Sequence, residues 1–114
     1  MAKRTMKAGD TYPPITGTLT TNGGPVDLTE AESVSMWMRS TTLAINTDPC
    51  DIEDAVNGVV SYTPAPSETA VAGTYKLEWE VDWGVDGEAR PLIQTFPNDS
   101  YETLEILEAL DYGV

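Results

Sequence analysis

A chain of 114 residues with a net charge of −13, no histidine and one cysteine has room for a single domain and few means of breaking or making bonds. Without histidine it lacks the commonest general base and the usual partner of a serine or cysteine nucleophile, while Cys50 alone forms neither an internal disulfide nor a zinc site and reads as a spectator thiol. An acidic body repels nucleic acid and anionic membrane, so neither is an expected partner, and no apolar run is long enough to span a bilayer.

The opening Met1-Ala-Lys-Arg-Thr-Met-Lys7 lacks the apolar block of a secretory signal, which predicts synthesis and retention in cytoplasm. Lys3, Arg4 and Lys7 are half of the six basic residues, leaving three positives against nineteen acids in the remainder. Those acids either keep an abundant protein soluble or form the face on which a neighbour's basic arm docks. Residues 1–12 read as an extended arm, with too few apolar groups to hold a helix or core strand. Pro13-Pro14 then stiffens the entry to a first strand over residues 15–20, placed at a sheet edge because prolines cannot donate to a ladder. Asn22-Gly23-Gly24 marks a tight hairpin turn. One helical turn, capped by Thr29, is expected over residues 29–32.

Alternation over residues 33–40 predicts a strand with Val34, Met36 and Met38 inward and Trp37 outward. That outward indole is either covered by a loop or part of a partner surface. A weaker strand around Leu43 and Ile45 gives way to a polar connection, residues 46–54, and a short strand follows over residues 58–63. A loop rich in proline then leads to the strongest pattern in the chain. Tyr75, Leu77, Trp79, Val81 and Trp83 alternate with Lys76, Glu78, Glu80 and Asp82, which predicts a strand with one wet face. Its apolar side is either the main wall of a core or a contact surface. Residues 84–87 turn the chain, residues 89–96 return it, and residues 101–107 form the last strand. Short strands at intervals of about ten residues argue for an all-β sandwich or barrel with almost no helix.

Chemistry is harder to find. Glu78, Glu80 and Asp82 share the solvent face of one strand, where alternate residues lie about 7 Å apart and water relieves their repulsion. Asp48, Asp51, Glu53 and Asp54 are dense enough to suggest calcium but lack the spacing of an EF-hand. Gly84 and Gly87 are spaced as turn grammar and no phosphate loop is present, so no cofactor, resident metal or catalytic residue is expected.

Several segments read together resemble a known family. Gly9-Asp10-Thr-Tyr-Pro-Pro-Ile-Thr-Gly-Thr-Leu-Thr20, Gly24-Pro-Val-Asp-Leu-Thr29, Gly58-Val-Val-Ser-Tyr62, Ala72-Gly-Thr-Tyr-Lys-Leu-Glu-Trp-Glu-Val81 and Thr95-Phe-Pro-Asn-Asp-Ser-Tyr101 are similar to the immunoglobulin-like β-sandwich virion proteins of tailed bacteriophages. These include the N-terminal domain of baseplate upper proteins and related small phage sandwich proteins. The likeness covers most of residues 9–107, and Ser100 stands where the family often has glycine.

The resemblance implies an all-β, immunoglobulin-like antiparallel sandwich over residues 13–107, flanked by the extended N-terminal arm and a short C-terminal tail, residues 108–114. It implies a non-enzymatic part of a virion, assembled in host cytoplasm and touching capsid, neck or tail proteins or copies of itself. The baseplate members continue into receptor-binding parts, whereas this sequence shows no fibre or coiled coil behind the sandwich, which puts a baseplate adaptor role in doubt and leaves open a free-standing component on the capsid surface, at the neck or along the tail. The alternative is a carbohydrate-binding or adhesion module on the particle surface. The residues expected to carry contacts are Lys3, Arg4, Lys7, Tyr12, Trp37, Leu110 and Tyr112. Leu110, Tyr112 and Val114 alternate, so the tail either adds to a partner's sheet edge or frays.

Overall fold

The computed structural model describes residues 3–47, 49–97 and 102–110. Its strands are β1 (Lys3–Lys7), β2 (Ile15–Thr18), β3 (Thr20–Thr21), β4 (Gly24–Pro25), β5 (Ser33–Arg39), β6 (Ala44–Asn46), β7 (Asp51–Asp54), β8 (Val59–Tyr62), β9 (Gly73–Val85), β10 (Pro91–Phe96) and β11 (Glu102–Leu107). The fold is all-β, and among the described residues the only helical piece is a 3₁₀ turn at Pro66–Thr69.

The larger sheet has the order β1-β11-β9-β5-β6, and β10 also pairs with β9. Along one edge of β9, β5 runs antiparallel from Ser33 opposite Asp82 to Arg39 opposite Lys76. Along the other edge, β11 pairs over residues 73–77 and β10 over residues 79–85. β10 and β11 are therefore successive segments of one line, interrupted between Phe96 and Glu102. A second sheet, β2-β8-β7, is antiparallel throughout. Its inward residues Ile15, Val60 and Tyr62 share one core with Val34, Met36, Met38, Tyr75, Leu77, Trp79, Val81, Leu104 and Ile106 of the larger sheet. The period-two pattern of β5 and β9 explains that division, because every second side chain faces the other layer. Gly17 of β2 lies directly against the Trp79 indole of the other layer.

Thr20 opposite Pro25 and Thr21 opposite Gly24 place Asn22-Gly23 in a two-residue hairpin turn. Past the 3₁₀ turn, the Tyr75 hydroxyl donates to the Val71 carbonyl (2.8 Å) and anchors the start of β9. The Glu68 carboxylate accepts from the Tyr62 hydroxyl (2.7 Å) and the Ala65 N–H (2.8 Å), bracing the same connection. Thr69 ties it to the start of the chain, donating from its hydroxyl to the Asp10 carbonyl and accepting from the Gly9 N–H.

Several expectations are corrected. Residues 3–7 are no free arm: β1 is a parallel edge strand on β11, from Lys3 opposite Thr103 to Lys7 opposite Leu107. Its inward side is Arg4, Met6 and Ala8, of which Met6 packs on the core and Ala8 is buried. Two apolar groups suffice because Arg4 is held by Glu102. No helical turn forms at residues 29–32. Instead the Asp27 carboxylate accepts the Thr29 N–H (2.9 Å) and hydroxyl, closing a local turn that competes with a helix start. The connection over residues 46–54 contains β7, paired to β8 through a bulge near Ile52 and Asp54. β9 continues to Val85, so the expected turn moves to residues 86–90, where Asp86 caps it.

Candidate interaction surfaces

The residues expected to make contacts are spread over separate parts of the fold. Lys3, Arg4 and Lys7 all lie in β1. Arg4 is committed within the chain: its guanidinium sits 3.0 Å from Glu102, with both side chains largely covered. Lys7 is exposed, and its backbone N–H donates to the Asp10 carboxylate at 3.3 Å. Tyr12 is 79% exposed ahead of β2, and Leu110 is fully exposed after β11. Tyr112 lies outside the described residues, as does Asp48. Asp51, Glu53 and Asp54 lie along β7, where Glu53 accepts from the Ser61 hydroxyl and Asp54 from the Asn57 side-chain amide. Among the described residues, no three His, Cys, Asp or Glu side chains converge as metal ligands.

Trp37 is half-buried on the outer face of the larger sheet. It lines a hollow of about 460 Å³ with Arg39, Lys76, Glu78, Glu80 and Thr95. Strand register makes this hollow: Arg39 stands opposite Lys76, and Trp37 opposite Glu78. An indole edge thus adjoins both donors and acceptors, a combination suited to a polar ligand with an apolar face. Glu78, Glu80 and Asp82 are half-buried rather than fully wet, because neighbouring strands flank them on both sides.

A second surface escaped the sequence reading. Val85, Leu92 and Ile93 are exposed on the hairpin of β9 and β10, and the half-buried Trp83 indole donates to the Gln94 side-chain oxygen (3.1 Å). Trp83 continues the spacing of the core residues of β9, which is why it groups with them in the sequence, and Val85 falls in the turn expected at residues 84–87. The legible signal was length: a strand of 13 residues is longer than any strand it packs against, so its end must leave the shared core. Ile93, opposite Asp82, is on the other face of the hairpin from Trp83 and Val85, so apolar groups are exposed on both faces of this end, as at protein contact surfaces.

The third feature is a mainly apolar groove of about 400 Å³ at the open side between the two sheets. β1 supplies Arg4 and Met6, the β2 entry supplies Pro13, Pro14 and Ile15, and Leu104 contributes from β11. The Arg4 Nε is buried there without a hydrogen-bond partner.

Neither a known protein-family model nor a curated protein matches this sequence.

Proposed function

We propose that the chain is an immunoglobulin-like, non-enzymatic structural component of a tailed-phage virion, acting through contacts with capsid, neck or tail proteins or with its own copies. The strand order supports the immunoglobulin-like reading. A layer ordered β1-β11-β9-β5-β6 faces a layer ordered β2-β8-β7, which parallels the two-sheet division of variable-type immunoglobulin domains. Tyr75, bonded back to Val71 at the start of β9, occupies the place of the tyrosine corner in that fold.

The observation that carries the assembly role is the outer end of the β9–β10 hairpin, where Val85 and Leu92 are exposed near the half-buried Trp83, and Ile93 is exposed on the opposite face beside Asp82, on a body of net charge −13. Such a surface needs a covering partner, whereas the acidic remainder keeps the unassembled chain dispersed. Mass spectrometry of purified particles tests the reading, with stoichiometry taken against the major capsid protein. Hundreds of copies favour head or tail tube, a handful favour neck or baseplate, and absence from particles overturns it.

A second reading rests on the Trp37 hollow, whose indole, Arg39 and Glu78 suit a saccharide's apolar face and hydroxyls. Glycan-array binding that Trp37→Ala abolishes, in a chain that stays monomeric, would favour an adhesion module.

A further inference from the structure

We infer that the groove between β1 and β2 receives the C-terminal segment of a second copy, which adds as a strand to the outer edge of β2. This rests on the reading of the chain as an assembly protein and names one of its partners.

The edge itself is the first argument. Among the described residues, β2 pairs with β8 alone. The Leu19 N–H donates to the Gly58 carbonyl (2.8 Å), continuing that ladder. Hydrogen-bonded pairs alternate along antiparallel strands, so Gly17 and Ile15 also turn their backbone groups to β8, and Thr16 and Thr18 turn theirs outward. Exposed edges are usually blunted by charge or brevity. β7 carries Asp51, Glu53 and Asp54, β6 has only three residues, and β1 carries Lys3, Arg4 and Lys7. β10 is uncharged but starts at a proline, which cannot donate to a ladder. β2 is uncharged and lies beside an apolar slot.

The slot specifies its occupant. Its wall of Met6, Pro13, Pro14, Ile15 and Leu104 takes alternate apolar side chains. β1 carries half of the chain's basic residues, and although Arg4 is paired with Glu102, the exposed Lys7 next to the slot favours an acidic segment. Residues 108–114 have that character: Leu110, Tyr112 and Val114 alternate, Glu108 and Asp111 supply the charge, and the Leu110 side chain is fully exposed.

Geometry favours a neighbour's tail over the chain's own. β1 and β11 run parallel and end together, where the Ala8 N–H donates to the Leu107 carbonyl (2.7 Å). The bonds of Thr69 to Gly9 and Asp10 hold the approach to β2 at that same end. A tail continuing the direction of β11 thus leads away from its own β2 edge.

Sedimentation of the purified chain over a concentration series tests the inference. Concentration-dependent self-association is expected, with its Kd raised at least about tenfold by deleting residues 108–114 and by Thr16→Glu, which repels the acidic tail, but not by Thr16→Lys. In a Cys50→Ala background, mixing Thr16→Cys copies with Leu110→Cys copies under diamide should give a disulfide-linked heterodimer. Unchanged melting temperatures show that each variant folds. A chain monomeric at every concentration, association indifferent to both the deletion and Thr16→Glu, or a disulfide that closes only within a doubly substituted chain would overturn it. A monomer still present in purified particles would remove this inference and leave the virion role intact.

Discussion

The β-carbon that Gly17 lacks would lie 2.8 Å from Cε2 of Trp79 and 2.9 Å from its Cζ2 and Nε1. The backbone of one sheet thus rests directly on the largest buried side chain of the other. Trp79 is 1% exposed, with core residues around it and no free direction to yield. Gly17→Ala is therefore expected to cost about 1–3 kcal/mol by overpacking. Urea denaturation measures it, and a midpoint equal to that of the parent chain would show that the layers separate without strain.

Burial pushes the Cys50 thiol up to about 11. A hydrogen bond with Thr47 opposes the shift, and the nearby carboxylates of Asp51 and Glu68 add to it. The thiolate is the reactive form, so alkylation near neutral pH should be slow in the folded chain and fast in denaturant. The folded state holds this proton more tightly than the unfolded state, whose thiol titrates near 9.0. Stability linked to Cys50 is therefore intact below that value and declines as pH rises toward 11. Urea midpoints across this range should fall more steeply for the parent than for Cys50→Ala. Equal slopes would remove the linkage.

The parts legible in sequence were those where one residue type decides the structure. The alternation of Tyr75, Leu77, Trp79 and Val81 gave the principal strand, and Asn22-Gly23 gave a turn, because side-chain period and backbone freedom act locally. β1 was not legible. Its place depends on Glu102, 98 residues away in sequence, and no local pattern reports such a partner. β7 was hidden for a related reason: its four side chains are all exposed, so an acidic run that reads as a loop becomes a strand only by pairing with β8. The same limit applies to the candidate surfaces. Trp37 was recognisable as outward-facing, but the exposure of Val85, Leu92 and Ile93 and the groove beside β2 arise from where strands end relative to their neighbours.

Asp86 organises the tip of the exposed hairpin. One carboxylate oxygen accepts the Glu88 N–H (2.8 Å) and the Arg90 N–H (3.0 Å), and the other accepts from the Arg90 Nε (2.9 Å). The backbone bond from Arg90, followed by that from Glu88, holds its carboxyl below the ordinary 3.8. A lowered folded-state value means that the tip gains order above 3.8 and loses it as pH falls through the lower, folded value. NMR titration should show the Glu88 and Arg90 amides shifting with a midpoint below 3.8. Asp86→Ala should speed their hydrogen exchange while leaving the global melting temperature nearly unchanged, because the site is exposed. Amides indifferent to both changes would show that the turn is held by its backbone alone.

The Arg4–Glu102 pair tests what fixes the edge strand. At 3.0 Å, with side chains 26% and 19% exposed, each charge loses water that only its partner replaces. Arg4→Ala leaves a part-buried carboxylate alone, and Glu102→Ala leaves a guanidinium alone. Each is expected to cost about 1–2 kcal/mol and to raise hydrogen exchange across residues 3–7 ahead of the rest of the sheet. Replacing both by apolar side chains, Arg4→Met with Glu102→Leu, should recover much of that loss, since a well-packed apolar pair matches a covered ion pair in stability. A double-mutant cycle with a coupling of about 1 kcal/mol or more would place the strand's attachment in this pair. Strict additivity would move the attachment to Met6, Ala8 and the parallel ladder, and would make β1 a strand held by packing rather than by charge.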